Sequence, residues 1–205
     1  VKARDLEDSL QHQKNVEFLE AVDRMDKEKA VRLLEHGAQL NVAQNSNGCK
    51  ALHIICSKQR SLLPHNFLRE LLDTKWNADL EVETDFLKLR PLHCAISARN
   101  RHCVVLLLQA GADFEAVTAA AERPLTIAIS REDPNIFADL ISFGADPDAA
   151  VPSPPWEGVL GTTSATEMVK GMEKAKRKRF VSVLRQARAV DFQRREAELR
   201  AQYAK

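Results

Sequence analysis

Apolar residues fall into two short runs at helical spacing, and the pair of runs then repeats. Leu92, Ala95 and Ile96 stand at i, i+3 and i+4, a narrow stripe for one helix. Pro91 suits the first turn of that helix, where its missing N–H is not needed. Val104, Val105, Leu107 and Leu108 supply a second stripe that stops at Gly111, where glycine fits the left-handed end of a helix. The pattern returns from Pro124-Leu125 to Gly144-Ala145-Asp146. Leu92 to Leu125 and Gly111 to Gly144 are both 33 residues. Two independent landmarks with one offset are the signature of a solenoid.

The same frame organises the chain upstream. Residues 1–14 are a polar lead without firm periodicity. A first repeat is expected over 15–43, with Phe18, Leu19, Val22, Val31, Leu33 and Leu34 as its stripe and Gly37 as its stop. A second covers 44–82. Leu52 to Leu92 is 40 residues, seven more than the period, with the excess around Ser61 to Asn66 and in Asp73 to Trp76. Pro64 is expected to open its second helix, and Asn77 takes the place of the stop glycine, as the next best residue for that conformation. The third and fourth repeats are 83–116 and 117–149. The prolines at 152, 154 and 155 then forbid a helix, so 150–162 reads as an extended linker. Ser164 and Glu167 have the offset of a capping box, so 163–205 is expected to begin as a degenerate cap. From about Lys174 to Ala204 there is no Gly or Pro, and a long helix follows, with Phe180, Val181, Val183 and Leu184 docking it on repeat four.

The phrases Arg90-Pro-Leu-His-Cys-Ala95, Leu106-Leu-Leu-Gln-Ala-Gly-Ala-Asp113 and Gly48-Cys-Lys-Ala-Leu-His53 resemble the TPLHxA…LLLxxGAD pattern of the ankyrin repeat. The resemblance implies an all-α solenoid of helix–turn–helix repeats with short β-turn fingers, here followed by a long C-terminal helix. It implies that His53 and His93 bond backbone between repeats; Thr126 holds that place in repeat four. It also implies protein binding through fingers and first helices on the concave face. It is nearly silent about the partner.

Composition agrees with such an array. The chain is 44% hydrophobic but only 5% aromatic, and stacked repeats bury mainly small aliphatic side chains. No apolar run approaches the ~18 residues of a membrane span. Cys49, Cys56, Cys94 and Cys103 show neither metal-ligand spacing nor a disulfide framework. They read as reduced thiols, which sets the expectation of an intracellular, cytoplasmic protein; a first residue of Val leaves a removed targeting peptide open. No glycine-rich phosphate loop, G-x-S-x-G or H-E-x-x-H occurs, so no catalytic residue, metal or cofactor is expected.

The net charge of +1 hides an asymmetry. Residues 1–169 carry 18 Lys and Arg against 25 Asp and Glu, whereas residues 170–205 carry 12 against 4. Lys174, Lys176, Arg177, Lys178 and Arg179 form the densest basic cluster, which suits a nuclear-localisation signal, or a contact for nucleic acid, an acidic protein surface or another polyanion, or is simply a solvated helix face. It lacks the interleaved aromatics of base stacking.

Three departures from the family pattern mark candidate contact residues. Lys50, Arg90 and Arg123 replace the capping threonine, although a cation at a helix N-terminus opposes the helix dipole. They form either a basic stripe for acidic groups or internal pairs with carboxylates such as Asp85 and Glu122. The third finger carries Phe86, Leu87 and Leu89 where polar residues are usual. These are either an exposed apolar contact or a cover for the long second repeat. Trp156, in the proline-rich linker, is a docking anchor or core. By analogy with the family, Ser57, Lys58, Ser97, Ala98, Ser130 and Arg131 flank these sites on the first helices. The expected function is a non-catalytic protein-binding scaffold, or a subunit of a larger assembly. The alternative is a ribonucleoprotein or other polyanion-bound component anchored by the basic helix.

Overall fold

The computed structural model describes residues 2–42, 44–58, 66–152 and 162–203. Pro64, most of the expected insertion, and Trp156 lie outside them. The chain divides into two compact units, residues 1–124 and 125–205.

The first unit is built from helix pairs. Helices α1 (Lys2–Asp23) and α2 (Lys27–Glu35) form the first pair, α3 (Ala51–Ser57) and α4 (Phe67–Leu71) the second, and α5 (Pro91–Ser97) and α6 (Arg101–Gln109) the third. The polar lead is continuous with the first repeat, because α1 runs without a break through residue 14. Its first turns contain no Gly or Pro and are rich in helix formers, which outweighs their lack of an apolar stripe. Helix α3 packs between α1 and α5. The core consists of Phe18, Leu52, Ile55, Phe67, Leu71, Leu92, Ile96 and Leu107, all essentially inaccessible to water.

The turns obey a local rule. Met25, Arg99 and Glu132 each take a left-handed conformation, and the next residue, Asp26, Asn100 or Asp133, caps the following helix with its side-chain oxygen. Asn100 also donates to the carbonyl of Lys58 at 3.0 Å, tying the third pair to the second. The stop positions Gly37, Gly111 and Gly144 have φ of 92°, 92° and 107°, and Asn77 takes the same region at 46°, as its substitution for glycine predicts. A short 3-10 turn at Thr74–Trp76 accounts for the long end of repeat two.

The second unit holds α7 (Pro124–Ser130) and α8 (Pro134–Ser142), the fourth helix pair. Strands β1 (Ala150–Pro152) and β2 (Thr162–Ser164) follow, then α9 (Ala165–Gly171) and α10 (Lys174–Tyr203). The strands pair antiparallel, with Ala150 opposite Ser164. This three-residue ribbon is the one sheet among the described residues, in a fold otherwise all α. Ser164 and Glu167 close the expected capping box at the start of α9. Thr166 donates to the Asp148 carboxylate at 2.6 Å, which together with Arg188 holds that carboxyl below its ordinary range. Helix α10 lies against α8. Phe180 and Leu184 are buried, and the Phe180 ring meets Phe137 edge-on at 5.2 Å.

Candidate protein-interaction surface

Two histidines hold the fingers of the first unit in place. The Nδ1 atom of His53 accepts from the backbone N–H of Lys50 at 3.1 Å, and that of His93 accepts from Arg90 at 3.0 Å. With Nδ1 an acceptor, a neutral ring carries its proton on Nε2. Nε2–H of His53 then donates to the carbonyl of Leu89 at 2.8 Å, and that of His93 to Ala116 at 3.1 Å. Each ring therefore binds its own helix start to a backbone carbonyl further along, His53 to the third finger and His93 to the segment that leads into the fourth. Burial lowers both pKa values, that of His93 to about 4, so the neutral form that this geometry requires is the one present at neutral pH.

The third finger differs from its neighbours in length. Its closing hydrogen bond runs from Thr84 N–H to Leu89 O, a separation of five residues; Asn45 to Cys49 and Thr118 to Glu122 close the other two with separations of four. Lys88 adopts φ 51° in the third finger, where Gly48 and Ala121 adopt 70° and 57° in the others. Phe86 is 81% exposed and Leu87 55%. The carbonyl of Leu87 accepts from Ala119 at 3.0 Å, which links this finger to the next, where Val117 is 45% exposed. Leu89 is half-buried, with its N–H held by the Thr84 hydroxyl at 3.0 Å. Asp85 folds back over Gly48, so closely that a β-carbon there would collide with its carboxyl.

The basic positions are engaged within the molecule. Lys50 donates to the backbone carbonyl of Glu83 at 2.9 Å. Arg90 pairs with Glu81, with Asp113 at 3.0 Å, and with Glu83 at 3.7 Å. Arg123 pairs with Glu115 at 2.8 Å. The carboxylates are not the expected Asp85 and Glu122. They come from the turns after each stop position, at 81, 83, 113 and 115, which run alongside the helix starts. Glu81 also accepts from the N–H of Asp113 at 2.9 Å, so one carboxylate joins two turns and an arginine. These cations replace the threonine cap with a bridge between turns.

The flanking positions are mixed. Ser57 is exposed, and its hydroxyl donates to Ile54 O at 2.8 Å. Lys58 pairs with Asp23 at 2.8 Å. Ser97 and Ala98 are half-buried, and Ser130 and Arg131, in the second unit, are exposed. An open groove of about 610 Å³, floored by Val16, Leu19 and Ile54 and edged by Asp23 and Asn45, lies between α1 and the second finger. Sequence reasoning missed it, because Val16 belongs to no apolar stripe. On α10, Lys176 pairs with Glu132, Arg177 donates to Lys170 O at 3.1 Å, and Arg188 pairs with Asp148 at 3.3 Å. Lys174, Lys178 and Arg179 are exposed.

Residues 18–118 match the family model for ankyrin repeats in three copies. Over this span the chain belongs to the ankyrin-repeat family. The match ends inside the fourth finger, although the ankyrin-like helix pair α7–α8 continues beyond it. The chain is similar to the B-cell lymphoma 3 protein homolog of Mus musculus, 33% identical over 122 residues, which cover 58% of this chain and 26% of that protein. It is also similar to protein phosphatase 1 regulatory subunit 27. The human protein is 46% identical over 61 residues, 30% of this chain and 40% of the relative; the Mus musculus protein is 45% identical over 62 residues, with the same coverage. The chain thus spans about a quarter to two fifths of the length of these relatives.

Proposed function

We propose that the chain is a non-catalytic protein-binding adaptor or regulator that docks a partner on the tip of its third ankyrin finger. The observation that carries this reading is the 81% exposure of Phe86, next to exposed Leu87, on a finger one residue longer than its neighbours. Exposed aromatic groups on a scaffold held by backbone hydrogen bonds lose little conformational entropy on binding, and such anchors dominate interface energetics. The anchoring histidines fix the finger before a partner arrives. Similarity to a protein phosphatase 1 regulatory subunit supports a regulatory role and names a first partner to try.

The test is titration of purified protein phosphatase 1 catalytic subunit, and of proteins captured from nuclease-treated extract, with the full chain and its Phe86→Asp, Leu87→Asp variant. The variant is expected to keep its melting temperature and lose affinity by at least tenfold. Unchanged affinity for every captured protein contradicts the finger assignment.

A further inference from the structure

We infer that helix α10 carries a second docking surface, for an acidic α-helix of a partner protein. From 174 to 190 this helix holds seven Lys and Arg residues and no Asp or Glu. The fold sorts these cations. Phe180 and Leu184 seat the helix, and Lys176, Arg177 and Arg188 are bound within the second unit, to Glu132, the Lys170 carbonyl and Asp148. Lys174, Lys178, Arg179 and Arg185 are exposed and have no ionic or hydrogen-bond partner among the described residues. Three of them lie on one face. Lys174, Lys178, Val181 and Arg185 stand at i, i+4, i+7 and i+11, which places them in a line along a helix. The face is turned away from Phe180.

The spacing suits one kind of occupant. At 1.5 Å rise per residue the cations sit about 6 Å and then about 10 Å apart along the axis. Carboxylates with the same register on a facing helix meet all three, and half-buried Val181 supplies an apolar contact between them. A nucleic acid fits less well. Three or four cations neutralise few phosphates, and the face carries no aromatic residue for stacking. This surface stands on observations separate from the finger, so either assignment survives failure of the other. Together they describe a chain with two docking surfaces, one on each compact unit.

The probe is a fluorescent alanine-rich peptide with Glu at i, i+4 and i+11, together with its Gln counterpart and a 20-base-pair DNA duplex. Anisotropy with the full chain is expected to show binding of the Glu peptide that weakens steeply between 50 and 200 mM salt. The Gln peptide is expected to bind at least tenfold more weakly. The Lys174→Glu, Lys178→Glu, Arg185→Glu variant is expected to lose the Glu peptide to the same degree with an unchanged melting temperature, because the three side chains are exposed and form no ion pair or side-chain hydrogen bond among the described residues. Ser182→Glu, which adds a carboxylate beside Lys178 and Arg185 on the exposed side, is expected to weaken binding to a smaller extent. Failure of the Glu peptide to bind overturns the inference, as does equal binding of the two peptides or an unaffected triple variant. Tighter binding of the duplex than of the Glu peptide overturns it in favour of a nucleic-acid site.

Discussion

The Nε2–H of His53 donates to the carbonyl oxygen of Leu89 at 2.8 Å, joining the start of helix α3 to the base of the third finger. This bond and its counterpart from His93 to Ala116 make the finger geometry depend on neutral imidazoles. Both histidines have depressed pKa values in the folded chain. The unfolded chain therefore binds more protons as the pH falls below about 6.5, and stability is lost from there down to the folded values. For His93, pushed down to about 4, the loss is about 3 kcal/mol at full effect. Urea unfolding at pH 7 and at pH 4.5, just above the folded value, reads the larger part of it. His93→Gln is expected to be less stable at pH 7 and to show a shallower decline toward pH 4.5.

Arg90 binds Glu81, Glu83 and Asp113 together. Arg90→Met keeps the aliphatic stem but leaves three carboxylates in mutual repulsion. The first unit is expected to lose about 1–2 kcal/mol, with part of the loss recovered in 0.5 M NaCl by screening. Urea titrations at low and high salt read both. A salt-independent loss contradicts the bridging role.

Gly48 has φ 70° and lies under the Asp85 carboxyl. Gly48→Ala meets an unfavourable backbone region and a steric clash at once. Adding Asp85→Ala is expected to relieve the clash but not the backbone term, so the double variant falls between the single variant and the parent. A thermal-melt series on the three proteins separates the two contributions.

Phe180 anchors α10 through its edge-on contact with Phe137. Phe180→Ala removes a fully buried ring at a cost of about 3–5 kcal/mol. Hydrogen exchange is expected to speed up in α8 and in the first half of α10, while α3 and α5 in the other unit keep their protection. Uniform loss across both units contradicts the local anchoring.

The fold was legible because the apolar stripes at 92 and 125 and the stop glycines at 111 and 144 recur with one offset of 33 residues, and the histidines at 53 and 93 hold the same place in their repeats; each has one structural meaning. Asn77 was readable for the same reason, since few residues besides glycine tolerate its conformation. The candidate site was legible in part. Phe86 and Leu87 stood out as apolar residues where a finger is normally polar, but the extra residue of their finger emerges only from comparing hydrogen-bonded closures. Internal pairing of Arg90 and Arg123 was one of the two readings open from the sequence, but the acids offered as examples, Asp85 and Glu122, are not the partners. Side chains that reach sideways into the turns before and after find acids 7 to 23 residues away. The β1–β2 pairing escaped notice because three-residue strands carry almost no periodicity, and Val117 because one exposed valine is ordinary.

The central claim is that the third finger contacts a partner protein, and the most direct measurement is site-specific photocrosslinking. A benzophenone amino acid replaces Phe86 in one preparation and the exposed Gln109 at the end of α6 in a second, and each is irradiated in nuclease-treated extract. The account predicts a discrete crosslinked protein from position 86 that is absent from position 109 and is competed away by unlabelled chain but not by its Leu87→Asp variant. Equal crosslinking from the two positions, or none from position 86, contradicts it.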